Sequence, residues 1–475
     1  MLIRALTVGC VLALASGALA QPDAAPGDPV VRYDGHRIVR VEVRSQADLL
    51  VMQGIGAEVW ACEPRLGPVD FRIPPASMAG LDASGLEYKV VVPNLQKRVD
   101  AENARIRGNA GGGVAGDQWY DEFKNLGAIS EKVDQLAAIR PDLATRFVVG
   151  KSLLGRDIFA LRIANDGFDT GHTKPVVLLN ATQHAREWIA PMVNVYNADR
   201  LIQGYGVDPA ITGAVDRADI YLIFVTNPDG YDYTWTTDRF WRKNLRDNGG
   251  GSFGVDTNRN WGYQWGSDNG SSGDPNSQVY RGTAPFSEPE TQALRDWSLA
   301  HPALRAHNDI HSFGQYILEP WGFTPDPNPD ADFFLALGKS MHAIIKAVHD
   351  YSYRDGPLYT TLYPVSGGAI DWFYGDRGAI SVSYELRGPG FDPPPSQIVP
   401  SAEETFPATL YHIQATISAF PFEADWTRDG VYDLFDFLAF TNDFNAGSMT
   451  ADLYGDGVLD LFDFLTFLNA FDAGR

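Results

Sequence analysis

The stretch Val176-Val-Leu-Leu-Asn-Ala-Thr-Gln-His-Ala-Arg-Glu187 decides both the fold of this chain and the chemistry built on it. Val176 to Asn180 carries no charge and is rich in branched apolar side chains, so it reads as a buried strand. His184 and Glu187 then fall on the turn that leaves its end. A third metal-binding side chain, His311, stands far downstream in Asp309-Ile-His311-Ser312. Two histidines and one carboxylate leave a fourth coordination position open, which is the arrangement of a catalytic and not a structural metal site. Taken singly, the H-x-x-E spacing is common, and His184 could be a hydrogen-bonded turn residue and His311 a core histidine.

Working outward, further motifs follow in a fixed order. They are Thr226-Asn-Pro-Asp-Gly-Tyr231, Arg239-Phe-Trp-Arg-Lys243, Val255-Asp-Thr-Asn-Arg-Asn-Trp261 and Pro285-Phe-Ser-Glu-Pro-Glu-Thr291, then, after His311, Ser366-Gly-Gly-Ala-Ile-Asp-Trp372 and Tyr384-Glu-Leu-Arg387. This run, from about Asp117 to Phe420, resembles the zinc carboxypeptidases of the pancreatic carboxypeptidase A type.

The resemblance implies a role for each matching residue. His184, Glu187 and His311 would hold one Zn2+. Glu385 matches the general base that moves a proton from water to the leaving amine, and Arg242 matches the cation that stabilises the oxyanion. Asn258 and Arg259 match the clamp on the substrate's free carboxylate, a task that suits the planar guanidinium fork. Tyr363 matches a mobile tyrosine that closes over the substrate, and Arg186 a further subsite residue. The pocket for the last side chain would have Ile370 at its base and Gly322, Val365 and Gly368 on its walls. An apolar base offers no counter-charge to Lys or Arg, so aromatic or large aliphatic C-terminal residues are expected. Phe313 stands where animal relatives often carry Tyr, which affects subsite preference and not the metal chemistry. On the residues alone, Glu385 could instead form a buried ion pair with Arg387, and Asn258-Arg259 could cap a loop.

The 475 residues suggest about three folded units, and 44% hydrophobic residues suffice for real cores. A formal charge of −22 argues against nucleic acid or an anionic membrane surface as partner. Residues 1–20 have Arg4, an apolar stretch Ala5 to Ala15 and Ala18-Leu-Ala20, which is the pattern of an export signal. Cys10 would leave with it, so Cys62 alone remains and no internal disulfide is expected. No other apolar run approaches the length of a membrane span. The protein is therefore expected to be secreted, or held at the cell surface or in the periplasm.

Residues 21–102 read strand, helix, strand, strand, helix, strand: Arg37 to Val43, Gln46 to Gly54, Ala57 to Ala61, Val69 to Ile73, Ser77 to Ser84 and Tyr88 to Val92. That order gives a ferredoxin-like α+β unit. With Tyr33-Asp-Gly-His36 near its start, it resembles the propeptide of these peptidases, which implies a zymogen. Residues 103–116 are glycine-rich after Arg105 and Arg107 and are expected to form a flexible, cleavable linker. Residues 117–420 alternate helical stretches, such as Ile129 to Ile139 and Pro191 to Ile202, with apolar strands such as Ile220 to Val225 and Ile380 to Tyr384. The expected fold class is α/β, a mixed sheet flanked by helices.

Residues 421–475 hold a tandem repeat. Asp425-Trp-Thr-Arg-Asp-Gly-Val-Tyr-Asp-Leu-Phe-Asp436 recurs as Asp452-Leu-Tyr-Gly-Asp-Gly-Val-Leu-Asp-Leu-Phe-Asp463. Acids at positions 1, 5, 9 and 12 with glycine at 6 follow the logic of twelve-residue calcium loops. The candidate Ca2+ ligands are Asp425, Thr427, Asp429, Asp433 and Asp436 in the first loop, and Asp452, Asp456, Asp460 and Asp463 in the second. Tyr454 takes position 3 of the second loop, so that loop is expected to bind more weakly. The pair resembles a small all-α dockerin module, which implies a cohesin-like or cell-surface partner. Two other functions are compatible with the sequence: a catalytically silent calcium-dependent scaffold, and a zinc amidase acting on non-protein substrates.

Overall fold

The computed structural model describes residues 30–60, 66–109, 116–168, 174–267, 270–419, 424, 426–427, 433–453 and 456–473. The export-signal residues 1–20, Cys62 and the loop residues Asp425, Asp429 and Tyr454 lie outside the described residues. The chain divides into two compact units, one spanning Tyr33 to Arg98 and one running from Val99 onward, with residues 30–32.

The first unit contains β1 (Arg37–Val43), α1 (Gln46–Gly54), β2 (Glu58–Val59), β3 (Gly67–Ile73), α2 (Met78–Ala83) and β4 (Tyr88–Val92). Its sheet has the order β2-β3-β1-β4 with antiparallel neighbours, the split βαβ topology expected from the pattern. Val39, Val41 and Val43 alternate along β1 and meet Val69, Phe71, Met52 and Leu81 in a small core. Ser45 caps α1 and Asp48 reciprocates, forming a capping box. Strand β2 is shorter than expected, because it lies at the sheet edge and pairs with β3 through Glu58 and Val59.

The expected linker is corrected in part. Residues 103–109 continue a helix, α3 (Leu95–Asn109). No glycine or proline interrupts Leu95 to Arg107, so local propensity carries the helix on. Arg105 fixes it with two bonds to Glu122, at 2.7 and 3.0 Å. Glu102 accepts from Arg239 Nε at 2.6 Å. The second compact unit accordingly takes in this helix from Val99 onward.

After α3 come α4 (Leu126–Ile139), β5 (Ala144–Lys151), β6 (Asp157–Ile163), β7 (Val176–Ala181), α5 (Ile189–Gly204), α6 (Pro209–Arg217), β8 (Asp219–Ile223) and α7 (Pro228–Thr236). A short ribbon of β9 (Asp247–Gly249) and β10 (Ser252–Phe253) precedes α8 (Pro289–Ala300), β11 (Leu304–Ser312), β12 (Tyr316–Glu319), α9 (Ala331–His349) and β13 (Arg354–Pro357). Next are α10 (Leu358–Thr361), α11 (Ala369–Gly375), β14 (Ile380–Leu386) and α12 (Ile398–Ala419), and the C-terminal segment adds α13 (Leu434–Asn445) and α14 (Leu461–Ala473).

The central sheet has eight strands in the order β13-β12-β14-β11-β7-β8-β6-β5. Strands β14, β11, β7 and β8 are mutually parallel, with antiparallel neighbours on both sides, so the sheet is mixed as expected. Alternation along β7 sends Val177 and Leu179 to one face, against Val193 of α5 and Ile413 of α12. Val176 and Leu178 face the other way, toward Leu294 of α8 and Phe373 of α11. Helices thus cover both faces, which is why β7 and β14 are buried along their whole lengths. In the C-terminal segment Phe440 stacks on Phe467 with ring centroids 4.1 Å apart, joining α13 to α14.

Candidate active site

Parallel pairing brings the carboxyl ends of β7, β11 and β14 side by side, the usual position for a site in a sheet of this kind. His311 pairs in register with Glu385, and Ile310 with Ala181. The chain leaves β7 through residues 182–188 before α5 begins at Ile189. That turn delivers His184 and Glu187 beside His311.

The three side chains face one another closely. His184 Nδ1 lies 2.8 Å from Glu187 Oε1, His311 Nδ1 lies 3.0 Å from Glu187 Oε2, and the two Nδ1 atoms are 3.1 Å apart. Ligand atoms held at about 2.0–2.1 Å from one tetrahedral ion would be roughly 3.3 Å apart, so the donor set fits zinc. It is the one such cluster among the described residues. Burial, then the Arg242 charge, hold His184 below the usual histidine range, in the neutral form a metal requires. Burial pushes the Glu187 carboxyl up, but the two imidazoles more than offset this and keep it ionised.

Two carboxylates behind the histidines, Asp256 and Asp309, fix which nitrogen faces the centre, and neither has a role that the sequence predicts. His184 Nε2 lies 3.2 Å from Asp256 Oδ1, and His311 Nε2 lies 2.8 Å from Asp309 Oδ2. Such partners orient a ligating imidazole and raise its basicity. Asp309 also accepts from Asn180 Nδ2 at 2.7 Å and Gln183 Nε2 at 2.5 Å, and Asn180 Oδ1 lies 2.6 Å from His307 Nε2. A signal for this network does exist in the sequence: His307, Asp309 and His311 recur at every second position of one strand, and so share one face.

Asp256 also links the histidine to Arg242. Its Oδ2 accepts from Arg242 Nη2 at 2.8 Å and Nε at 3.2 Å, which anchors one edge of a fully buried guanidinium. Arg259 is buried too, with Nη1 donating to the Asn258 carbonyl at 2.9 Å and lying 3.8 Å from Asp256. Asn258 Nδ2 lies 3.2 Å from His311 Nε2, and its Oδ1 accepts from Ala369 N at 2.8 Å, which ties this residue to the start of α11.

Glu385 is buried at the end of β14, and burial followed by the Glu187 charge raises its pKa. The alternative partner Arg387 points elsewhere, with Nη1 bonded to Glu404 Oε1 at 2.5 Å. Val365 N donates to the Gly322 carbonyl at 2.7 Å. A methyl group on Gly322 would come within 3.2 Å of Val365 Cβ, and one on Gly368 within 2.9 Å of Val365 Cγ1. Gly322, Val365 and Gly368 therefore pack against one another, and Ile370 lies on α11, which begins just after Gly368. Asp371, a residue with no predicted role, accepts from Gly322 N at 2.9 Å and Phe323 N at 3.1 Å and so holds that backbone in place. Arg186 lies over the Phe391 ring at 3.8 Å, and Phe391 meets Phe313 edge to face at 4.9 Å. Tyr363 is buried on the turn after α10.

In the C-terminal segment the described acids already serve the backbone. Asp433 and Asp460 accept from Phe435 N and Phe462 N at the starts of α13 and α14. Asp436 and Asp463 reach back to Asp433 N and Asp460 N at 2.9 and 2.8 Å. Thr427 N donates to Asp436 at 2.8 Å, and Asp456 accepts from Val458 N at 2.9 Å.

Comparison with known proteins gives the same class. A family model described as "Zinc carboxypeptidase" matches residues 129–408. Carboxypeptidase A4 of Mus musculus is 33% identical over 390 residues, 79% of this chain and 92% of the relative. Carboxypeptidase A1 of Rattus norvegicus is 34% identical over 403 residues, 81% of this chain and 94% of the relative. The crystal structure of carboxypeptidase A from Helicoverpa armigera superposes with a TM-score of 0.72 at 29% identity, covering 81% of this chain and 98% of that one. This chain belongs to the zinc carboxypeptidase family and is a peptide hydrolase of the carboxypeptidase A type. No helix among the described residues is long and apolar enough to cross a membrane.

Proposed function

We propose that the protein is an exported zinc metallocarboxypeptidase, made as a zymogen, that removes aromatic or large aliphatic residues from peptide C-termini. The observation that carries this reading is the trio His184, Glu187 and His311, held at 2.8–3.1 Å spacing with a carboxylate behind each histidine.

Zinc, when bound by this trio, supplies a Lewis acid that polarises the scissile carbonyl and acidifies a water. The chain's own residues do the rest. Glu385, with its raised pKa, takes the proton from the attacking water and hands it to the leaving nitrogen, so that the bond to the last residue breaks as an amine and a carboxylic acid form. Arg242, braced by Asp256, opposes the charge that develops on the carbonyl oxygen. Asn258 and Arg259 bind the free carboxylate, Tyr363 closes over it, Arg186 contacts the residues upstream, and the surface of Gly322, Val365, Gly368 and Ile370 receives the last side chain. The apolar character of Ile370 supports the stated preference.

Residues 21–102 are the propeptide in this reading, and Arg105 and Arg107 the activation sites. Residues 421–475 act as a dockerin-like calcium module. Leu434, Phe435 and Leu438 of α13 and the equivalent Leu461, Phe462 and Leu465 of α14 are exposed, which supports a cohesin-like or cell-surface partner there.

A substrate panel tests the enzymatic core. Blocked dipeptides varying only in the last residue should be cleaved best with Phe or Leu, poorly with Lys and not at all as the C-terminal amide. Equal turnover of acid and amide would rule out the carboxylate clamp, and processed protein that binds no zinc would remove the reading altogether.

A further inference from the structure

The second acidic loop already holds a cation, and it comes from the catalytic domain. Arg217, the last residue of α6, is buried, and its Nη2 lies 3.1 Å from Asp452 Oδ2. The same nitrogen donates to the Met449 carbonyl just before the loop. Asp452, at loop position 1, also accepts from Gly457 N at 2.9 Å. The charges of Asp456 and Asp463, at positions 5 and 12, act on this guanidinium together with those of Asp452 and Asp216. A second contact lies beside the first. Gly457 has φ +81, and a methyl group added to it would come 2.7 Å from Pro209 Cβ at the start of α6.

We propose that Arg217 is the resident cation of the second loop, so that this loop docks the C-terminal module on α6 and calcium competes with the docking. The inference rests on reading residues 452–463 as a calcium loop. Calcium needs six to eight oxygen ligands at about 2.3–2.6 Å, including the first-position carboxylate. With Asp452 Oδ2 engaged by Arg217 and Gly457 N, the ion would share this carboxylate with a like-charged guanidinium close by, which costs each of them affinity. A buried arginine in turn depends on its acidic partner, because a guanidinium left unpaired there is costly. Each occupant therefore weakens the other. The first loop provides the contrast: its position-12 carboxylate, Asp436, accepts from Thr427 N and Oγ1 of its own loop at 2.8 and 2.9 Å.

The test uses the full chain, with calcium binding followed by calorimetry and amide exchange of residues 205–217 followed by mass spectrometry. Calcium should raise exchange in that segment of the wild type. Arg217→Gln should show raised exchange without calcium and should tighten binding at the second loop by about tenfold, within the usual range of coupled sites. Arg217→Lys should fall between the two, and turnover of a blocked dipeptide ending in Phe checks that each variant is folded. Equal second-loop affinity in wild type and Arg217→Gln would overturn the proposal, as would calcium binding there with no change in exchange. Calcium confined to the first loop in both proteins, and lost in Asp436→Asn, would sink the competition while leaving the calcium reading intact. No calcium binding by any of them would sink both.

Discussion

Asp256 Oδ1 lies 3.2 Å from His184 Nε2 while its other oxygen holds Arg242, so one carboxylate orients a metal ligand and the proposed oxyanion cation together. Asp256→Asn keeps the shape but removes the charge that both partners use. Zinc affinity should fall by about 10–100-fold, the usual effect of losing such a partner. Turnover should fall further when zinc is saturating, because Arg242 loses its brace. Competition with a chromogenic chelator and steady-state kinetics at high zinc separate the two effects, and unchanged values for both would contradict this role.

Glu385 belongs to the same site but not to the trio of metal-binding side chains. Glu385→Gln should retain zinc and substrate binding while kcat drops by about 10²–10⁴-fold, the range for loss of a general base. Metal analysis alongside kinetics makes the distinction: a variant that loses zinc would show Glu385 supporting the metal instead.

A pH effect is expected away from the site. Burial, then the Asp355 charge, raise the Glu319 pKa from 4.5 to about 8. Its Oε1 finds no hydrogen-bond partner among the described residues and faces Gly338 of α9. A carboxyl with a raised folded pKa binds its proton more tightly in the native state, so its contribution is best below about pH 4.5, erodes as pH rises and levels off above about 8. Glu319→Gln removes this erosion. Thermal melts should show wild type and variant close at pH 5, with the variant ahead by pH 8 by an amount on the order of a few kcal/mol. A gap that does not grow with pH would contradict the prediction.

The Glu102–Arg239 pair should govern access to the helix that carries Arg105 and Arg107. Both side chains are buried, and the Arg239 guanidinium also lies 3.5 Å from the centre of the Trp188 ring. Breaking such a pair from one side costs about 3–5 kcal/mol because the remaining charge is stranded. Glu102→Gln should therefore speed tryptic cleavage at Arg105 and Arg107, which requires local opening of α3. A time course by mass spectrometry checks this, and identical cleavage rates would show that α3 opens without involving the pair.

The residues that could be read from sequence are those whose signal is local. Val176 to Ala181 and Ile380 to Leu386 stand out because strands buried on both faces have no solvent side to make polar, and ordered motifs tied His184, Glu187 and His311 together. The role of Asp256 is not legible in sequence, because its loop meets His184 only in the folded chain. Arg387 and Glu385 are neighbours in sequence, yet Glu404 of α12 captures Arg387, and spacing alone carries no information about a helix that packs later. The extension of α3 is hidden in sequence because the glycines that follow it dominate the local composition, while the pairs that hold it involve Glu122 and Arg239, which are distant in sequence.

The pairing of His311 with Glu385 across β11 and β14 makes this enzyme brittle in one particular way. Side chains alternate along a strand, so deleting a single residue between Ile380 and Tyr384 would turn Glu385 to the opposite side of the sheet and present a hydrophobic neighbour in its place. Protein engineers could expect surface turns to accept insertions, whereas these two strands behave like the teeth of a key, where one missing notch jams the lock however sound the metal.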